Sequence, residues 1–190
     1  MKLICCATLT GLVLTVLLTS ALIAQAQDVT PIKPTPDVFG WGKIKWGMSI
    51  QEVRGVVAEF ASQPVEPPGP NFVLVDRIML KDVPIGDIPC RIAIQTKRHS
   101  ETVTAVTIHA IADAIEQRSE AFDTLKKLLI EKYGRPKSED RRGEARNTLT
   151  VSLWSFPSTS IALRRLEGPY GTGYVVVAFS SVDKKSLDEM

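Results

Sequence analysis

The chain has little of what most directly advertises chemistry. It has three cysteines in 190 residues; two stand at positions 5 and 6, and only Cys90 lies in the body of the sequence. Once a cleaved leader removes the first two, no internal disulfide can form, and the core must hold the fold unaided. There are two histidines, His99 and His109, ten residues apart on what read as different elements, a poor start for a metal site without convergent thiolates or carboxylates. Neither sign of charge dominates, with 23 basic residues against 21 acidic. A nucleic-acid binder normally carries a clustered basic excess, so the balance argues against that class. Apolar residues at 44% argue against wholesale disorder. Also absent are a Gly-x-Ser-x-Gly elbow, a phosphate-binding loop and a dinucleotide fingerprint.

What is present begins with a leader. Lys2 gives a positive start, residues 3–24 carry no charge, and Ala24-Gln25-Ala26 supplies the small-x-small site of signal peptidase. These features predict a signal peptide over residues 1–26, with cleavage after Ala26 and a secreted or periplasmic product. An uncleaved anchor is the competing reading, because an uncharged run of this length can span a bilayer. The Thr and Ser residues within the run and the small-residue site favour cleavage, which leaves no membrane insertion in the mature chain. Cys5 and Cys6 precede the apolar run instead of following it, unlike a lipoprotein attachment site.

Residues 27–38 read as a Pro-rich spacer, with Pro31, Pro34 and Pro36. A single domain is expected over 39–182, with a short tail at 183–190. Trp41, Ile44 and Trp46 mark a brief strand-like segment. Ser49 and Glu52 form a capping-box pair, and Ile50, Val53, Val57 and Phe60 follow at helical spacing, so a first helix starts there and ends before the prolines at 64, 67, 68 and 70. Three strands are predicted at 71–80, 90–95 and 102–109. A second helix is predicted at 114–133, burying Phe122, Leu125, Leu129 and Tyr133; Asp113 and Ser119 are both candidate caps, and Gly134 with Pro136 ends it. The charged run 135–147 reads as a loop. Three more strands follow at 148–156, 160–166 and 174–181. The fold class is therefore α+β, in the order α-β-β-β-α-β-β-β. Two pseudo-repeats, about 39–110 and 111–182, would join into one antiparallel sheet of about six strands with two helices packed on one face.

That order, with Trp46-Gly47-Met48-Ser49-x-x-Glu52-Val53 and Tyr133-Gly134-x-Pro136, resembles a broad group of bacterial envelope modules. The group includes the outer-membrane assembly lipoprotein BamE and the tandem modules of β-lactamase inhibitory protein. The first half keeps the helix-opening motif and lacks Gly-x-Pro after the helix; the second half does the reverse. No cysteine pair remains to staple either module, a departure from the inhibitor pattern. The resemblance spans about residues 40–181. It implies the fold and a protein-binding role.

The search for chemistry agrees with that implication. Cys90 with His99 or His109 is the one conceivable Cys–His pair. Yet Cys90 alternates with Ile92 and Ile94 on the face expected to be buried, where a thiol is inert. Glu116 and Glu120 and the Glu139-Asp140 pair read as solvated faces. No catalytic residue, metal ligand or cofactor is expected. A binding surface is the sharper prospect. Phased on Leu149, Val151 and Leu153 as inward residues, the fourth predicted strand turns Trp154 to the open face, beside Arg164 and Tyr174 on the next two strands. Trp, Arg and Tyr are the residues most enriched at binding hot spots. The candidate site is therefore Trp154, Arg164 and Tyr174, and the expected partner is another envelope or extracellular protein. A small-ligand carrier with a pocket between sheet and helices is the alternative, and a small Cys/His enzyme ranks last.

Overall fold

The computed structural model of the chain describes residues 36–63, 65, 72–144 and 147–182. The expected signal peptide over 1–26 with its cleavage point, the spacer up to residue 35, the prolines at 64, 67, 68 and 70, and the tail at 183–190 lie outside the described residues.

The first ordered segment is a two-stranded hairpin, β1 (Gly40–Trp41) and β2 (Ile44–Lys45), placing Ile44 in the core. It is stitched to the far end of the chain. The Asp37 carboxylate accepts from the Ser158 backbone N–H at 3.0 Å and from its hydroxyl at 2.6 Å, and Trp46 Nε1 donates to Thr159 Oγ1 at 2.7 Å. The expected capping box then opens α1 (Ile50–Val56): Glu52 N–H donates to Ser49 Oγ at 3.2 Å, while the Glu52 carboxylate accepts from Ser49 N–H at 2.7 Å. Val53 and Val57 are buried as the spacing required, but Phe60 is exposed. The helix stops at Val56, well before the first proline. Gly55 followed by two β-branched valines is weak helix sequence, and the chain departs to form the two-residue strand β3 (Ser62–Gln63).

Three long strands follow, β4 (Leu74–Ile85), β5 (Ile88–Lys97) and β6 (Val103–Ala110). Then comes α2 (Ile115–Tyr133), burying Phe122, Leu125 and Leu129 as expected. Neither Asp113 nor Ser119 caps it. Ala114 holds the cap position, and Gln117 Oε1 reaches back to accept from the Ala114 and Asp113 N–H groups, both at 3.2 Å. Gly134 ends the helix as predicted, at a φ of 79° that favours glycine.

The largest correction concerns the charged run. Residues 138–144 form a strand, β7 (Ser138–Glu144), paired along its whole length with β8 (Asn147–Ser155). It carries no apolar side chain and is exposed throughout, so no alternation marks it. As an outer strand it needs partners on one side only, and its charges discourage pairing with a further chain. The last two strands are β9 (Thr159–Glu167) and β10 (Gly173–Ser181), joined by a single 3-10 turn at Pro169–Gly171.

The protein is thus α+β, and its described residues form two helices and an antiparallel sheet of seven long strands, extended at one edge by β3, in the order β3-β4-β5-β6-β10-β9-β8-β7. The sheet therefore has more strands than the six expected. Its centre is the pairing of β6 with β10, each the last strand of its half. Val53 and Val57 of α1 join Phe122, Leu125 and Leu129 of α2 in one buried cluster with Ile92, Ile94, Ile108, Leu163 and Val177 of the sheet.

One ionic contact locks the start of α2 to the sheet. Arg118 is 2% exposed, and its guanidinium meets the Glu167 carboxylate at 3.3 Å while donating to the carbonyl oxygens of Asp113 and Gly171. Removing Glu167 would leave a buried cation half-compensated. We expect Glu167→Ala to destabilise the fold by about 3 kcal/mol, the low end for such pairs because Glu167 retains solvent contact. Urea unfolding checks this, and a loss below about 1 kcal/mol would mean that the two carbonyls alone suffice to hold Arg118.

Candidate binding face of the sheet

Side chains of a strand alternate between the two faces of its sheet, so register with a buried neighbour decides which face each occupies. On β10, Val175, Val177 and Phe179 are buried toward the helices, leaving Tyr174, Val176, Ala178 and Ser180 on the other side. On β9, Ile161 and Leu163 are buried in the core, so Ala162, Arg164 and Leu166 share the open face. Arg164 and Tyr174 therefore fall where the alternation put them, both exposed. Arg164 lies opposite Val176 and Tyr174 opposite Leu166, which makes them diagonal neighbours within side-chain reach.

Trp154 does not join them. It pairs with Ile161 and is 2% exposed on the helix side, where its Nε1 donates to the Gly134 carbonyl at 2.7 Å. The whole of β8 is shifted by one residue from the expected phase: Thr148, Ser152 and Trp154 point inward, while Leu149, Val151 and Leu153 face out. The reason is local. Tyr133 meets Phe156 at a tilt with ring centroids 5.8 Å apart and Phe179 edge-on at 6.2 Å, and Trp154 fills the adjoining space beneath the C-terminus of α2. An indole at that place fills the space and also gives the Gly134 carbonyl a donor, which no aliphatic side chain could do.

The open face has a further basic element that the sequence reading passed over. Register across four strands aligns Arg91 of β5, His109 of β6, Val176 of β10 and Arg164 of β9 in one transverse row. Alternation in 90–95 already set Arg91 opposite the buried Cys90 and Ile92, but only strand order shows that it shares a row with Arg164. Neither arginine makes an ion pair or side-chain hydrogen bond among the described residues. Beside this row runs a second of small residues, Ala93, Thr107, Ala178 and Ala162. Two acids on this face are engaged. Gln95 donates to Asp76 at 2.7 Å and accepts from Thr107 at 3.0 Å, and Asp140 pairs with Arg142. Desolvation against the sheet holds His109 below its ordinary value; Asp76 opposes that shift and Arg91 adds to it. The row therefore presents two permanent cations with a neutral imidazole between them near pH 7.

The Cys–His pairing is ruled out by the same geometry. Cys90 is fully buried on the helix face, whereas His109 stands on the open face and His99 is exposed in the turn between β5 and β6. Burial pushes the Cys90 thiol up to about 11, far from a nucleophile at neutral pH. Among the described residues no three His, Cys, Asp or Glu side chains converge as metal ligands, and no helix is long and apolar enough to cross a membrane. Comparison with known proteins finds no matching family model, no matching curated protein and no matching solved structure.

Two measurements follow from the positions of Trp154 and Cys90. Trp154→Ala should remove about 3–5 kcal/mol of stability, as large-to-small changes of buried aromatics do. Equilibrium denaturation would reveal a surface role instead if the loss were under about 0.5 kcal/mol. Cys90 should resist a thiol reagent at pH 8 in the folded protein and react at the rate of unfolding once denaturant is added. Fast labelling of the native state would contradict its burial.

Proposed function

We propose that this is an exported, non-catalytic protein-binding module, acting in the periplasm or outside the cell. It would receive another envelope or extracellular protein on the open face of its sheet. The observation that carries the reading is the contrast between the two faces. One is filled by both helices; the other displays Arg164, Tyr174, Leu153 and Arg91 above a floor of alanines, with its two arginines unpaired among the described residues. Hot spots of protein interfaces combine such arginine and aromatic side chains with surrounding small or apolar contacts. The resemblance to tandem envelope modules supports the same reading. In that view α1 with β4–β6 and α2 with β8–β10 are the two pseudo-repeats, and β7 is an addition to the second.

A specific observation also favours the carrier reading. An apolar recess of about 120 Å³ lies between α2 and the sheet, lined by Ile108, Leu125, Leu129, Tyr133 and Phe179. It is close to the size that holds a benzene-like ring and below that of an ordinary ligand pocket, which places the carrier second.

The test is affinity capture from the native envelope fraction with the wild-type protein as bait and an Arg164→Glu/Tyr174→Ala bait beside it, after circular dichroism shows the variant folded. A protein held by the wild type and lost from the variant is the expected result. Retention of the same proteins by both baits, or of none by either, removes the open face as the binding surface.

A further inference from the structure

We infer that the partner segment seated on the open face is acidic and extended, with carboxylates that meet Arg91 and Arg164. The inference rests on the binding reading above and specifies the chemistry of its partner. Three strand spacings separate the two arginines across β5, β6, β10 and β9. At about 4.8 Å each, that is roughly 14 Å.

An extended chain rises about 3.3 Å per residue, so carboxylates four positions apart point the same way and span about 13 Å. A helix brings side chains back to one face after seven or eleven residues, at about 10.5 or 16.5 Å, and matches the arginine spacing less well.

The surroundings agree with an elongated anionic guest. The adjacent row of Ala93, Thr107, Ala178 and Ala162 raises no long side chain against a backbone lying across the strands. Both arginines lie on the exposed face and make no ion pair among the described residues, so binding does not first require breaking an internal one. Asp76, the acid nearest His109, is held by Gln95 two residues along β5 from Ala93, on the far side of the small-residue row from the arginines. Its charge keeps an acidic segment toward the arginine row and off the Asp76–Gln95 pair. Arginine meets a carboxylate in two parallel hydrogen bonds, which gives each end of the segment a defined seat.

The probe is deca-glutamate, which its own repulsion keeps extended at neutral pH, titrated into the isotopically labelled purified protein at low salt and followed by amide NMR. Expected are shifts centred on Ala93, Thr107, Val176 and Arg164, absent with deca-glutamine. Arg91→Glu and Arg164→Glu should each weaken the binding about tenfold, the scale of one lost close charge pair. Lys127→Glu makes the same charge change on α2, away from the open face, and should leave binding unaltered; the dispersion of each variant's spectrum reports that it is folded.

Equal weakening by Lys127→Glu, or shifts scattered over the helices, would reduce the effect to net charge and overturn the inference. The same shifts produced by inorganic phosphate at matched concentration would make this a simple anion site, and displacement of the peptide by phosphatidylglycerol vesicles would make it a membrane face; either overturns it. The two readings fail separately. An envelope partner lost on Tyr174→Ala but kept on Arg91→Glu leaves the binding face standing and removes its acidic specificity, whereas a partner kept by every open-face variant removes both.

Discussion

The pairing of β6 with β10 is the constraint on which the remaining architecture depends, because it joins two meanders that would otherwise each expose a raw edge. The register Ile108 to Val177 and Val106 to Phe179 brings the inward residues of both halves onto one side. A slip of one residue would turn half of that apolar set to solvent. The same register aligns His109 with Val176, and so carries the line from Arg91 to Arg164 across the seam. Core and candidate site are two sides of one set of hydrogen bonds.

Helix α2 is held to this sheet at both ends by polar contacts that its apolar stripe does not supply. At its start, Arg118 sits in a cage of Glu167 and two backbone carbonyls, while Arg165 donates to Ser119 at 2.8 Å and lies 5.0 Å over the ring of Phe122. At its end, the Gly134 carbonyl, an acceptor the helix itself leaves open, takes the indole N–H of Trp154. A helix fixed at both termini has little freedom to slide over the sheet, so the open face on the other side is a rigid platform. Rigidity of this kind favours recognition, since little side-chain or backbone freedom is lost when a partner docks.

The sheet treats its edges and its face differently. Its outer strand β7 has no apolar side chain, and at the opposite margin the described residues add the two-residue β3 against Met79 and Leu80 of β4, whose run is broken by bulges at Asp76–Ile78 and Leu80–Val83. Both are ways of discouraging another chain from adding as a further strand. The broad face has no such guard and shows arginine, tyrosine and leucine together. This contrast between edges and face supports the proposal that a partner docks on the open face.

Much of the local structure was legible in the sequence because its causes are local. Ser49 and Glu52 satisfy each other's backbone within one turn, Gly134 adopts the conformation that ends α2, and Phe122, Leu125 and Leu129 recur at the helical period. The alternation of β9 and β10 likewise placed Arg164 and Tyr174 correctly. Two features were hidden for opposite reasons. Strand β7 has no apolar residue to reveal it, since a doubly exposed outer strand owes its existence to hydrogen bonds with β8. Strand β8 has apolar residues on both faces, and only contact with Ile161 and the end of α2 decides that Trp154 goes in and Leu153 out. By itself the sequence determined the α+β class, the capping box of α1, the Gly134 stop of α2, the helix stripe and the inward faces of the central strands, because each follows from neighbours a few residues away. Tertiary structure alone decided the phase of β8, the burial of Trp154 and the alignment of Arg91 with Arg164, because these depend on which strands lie side by side, and chain order does not state that.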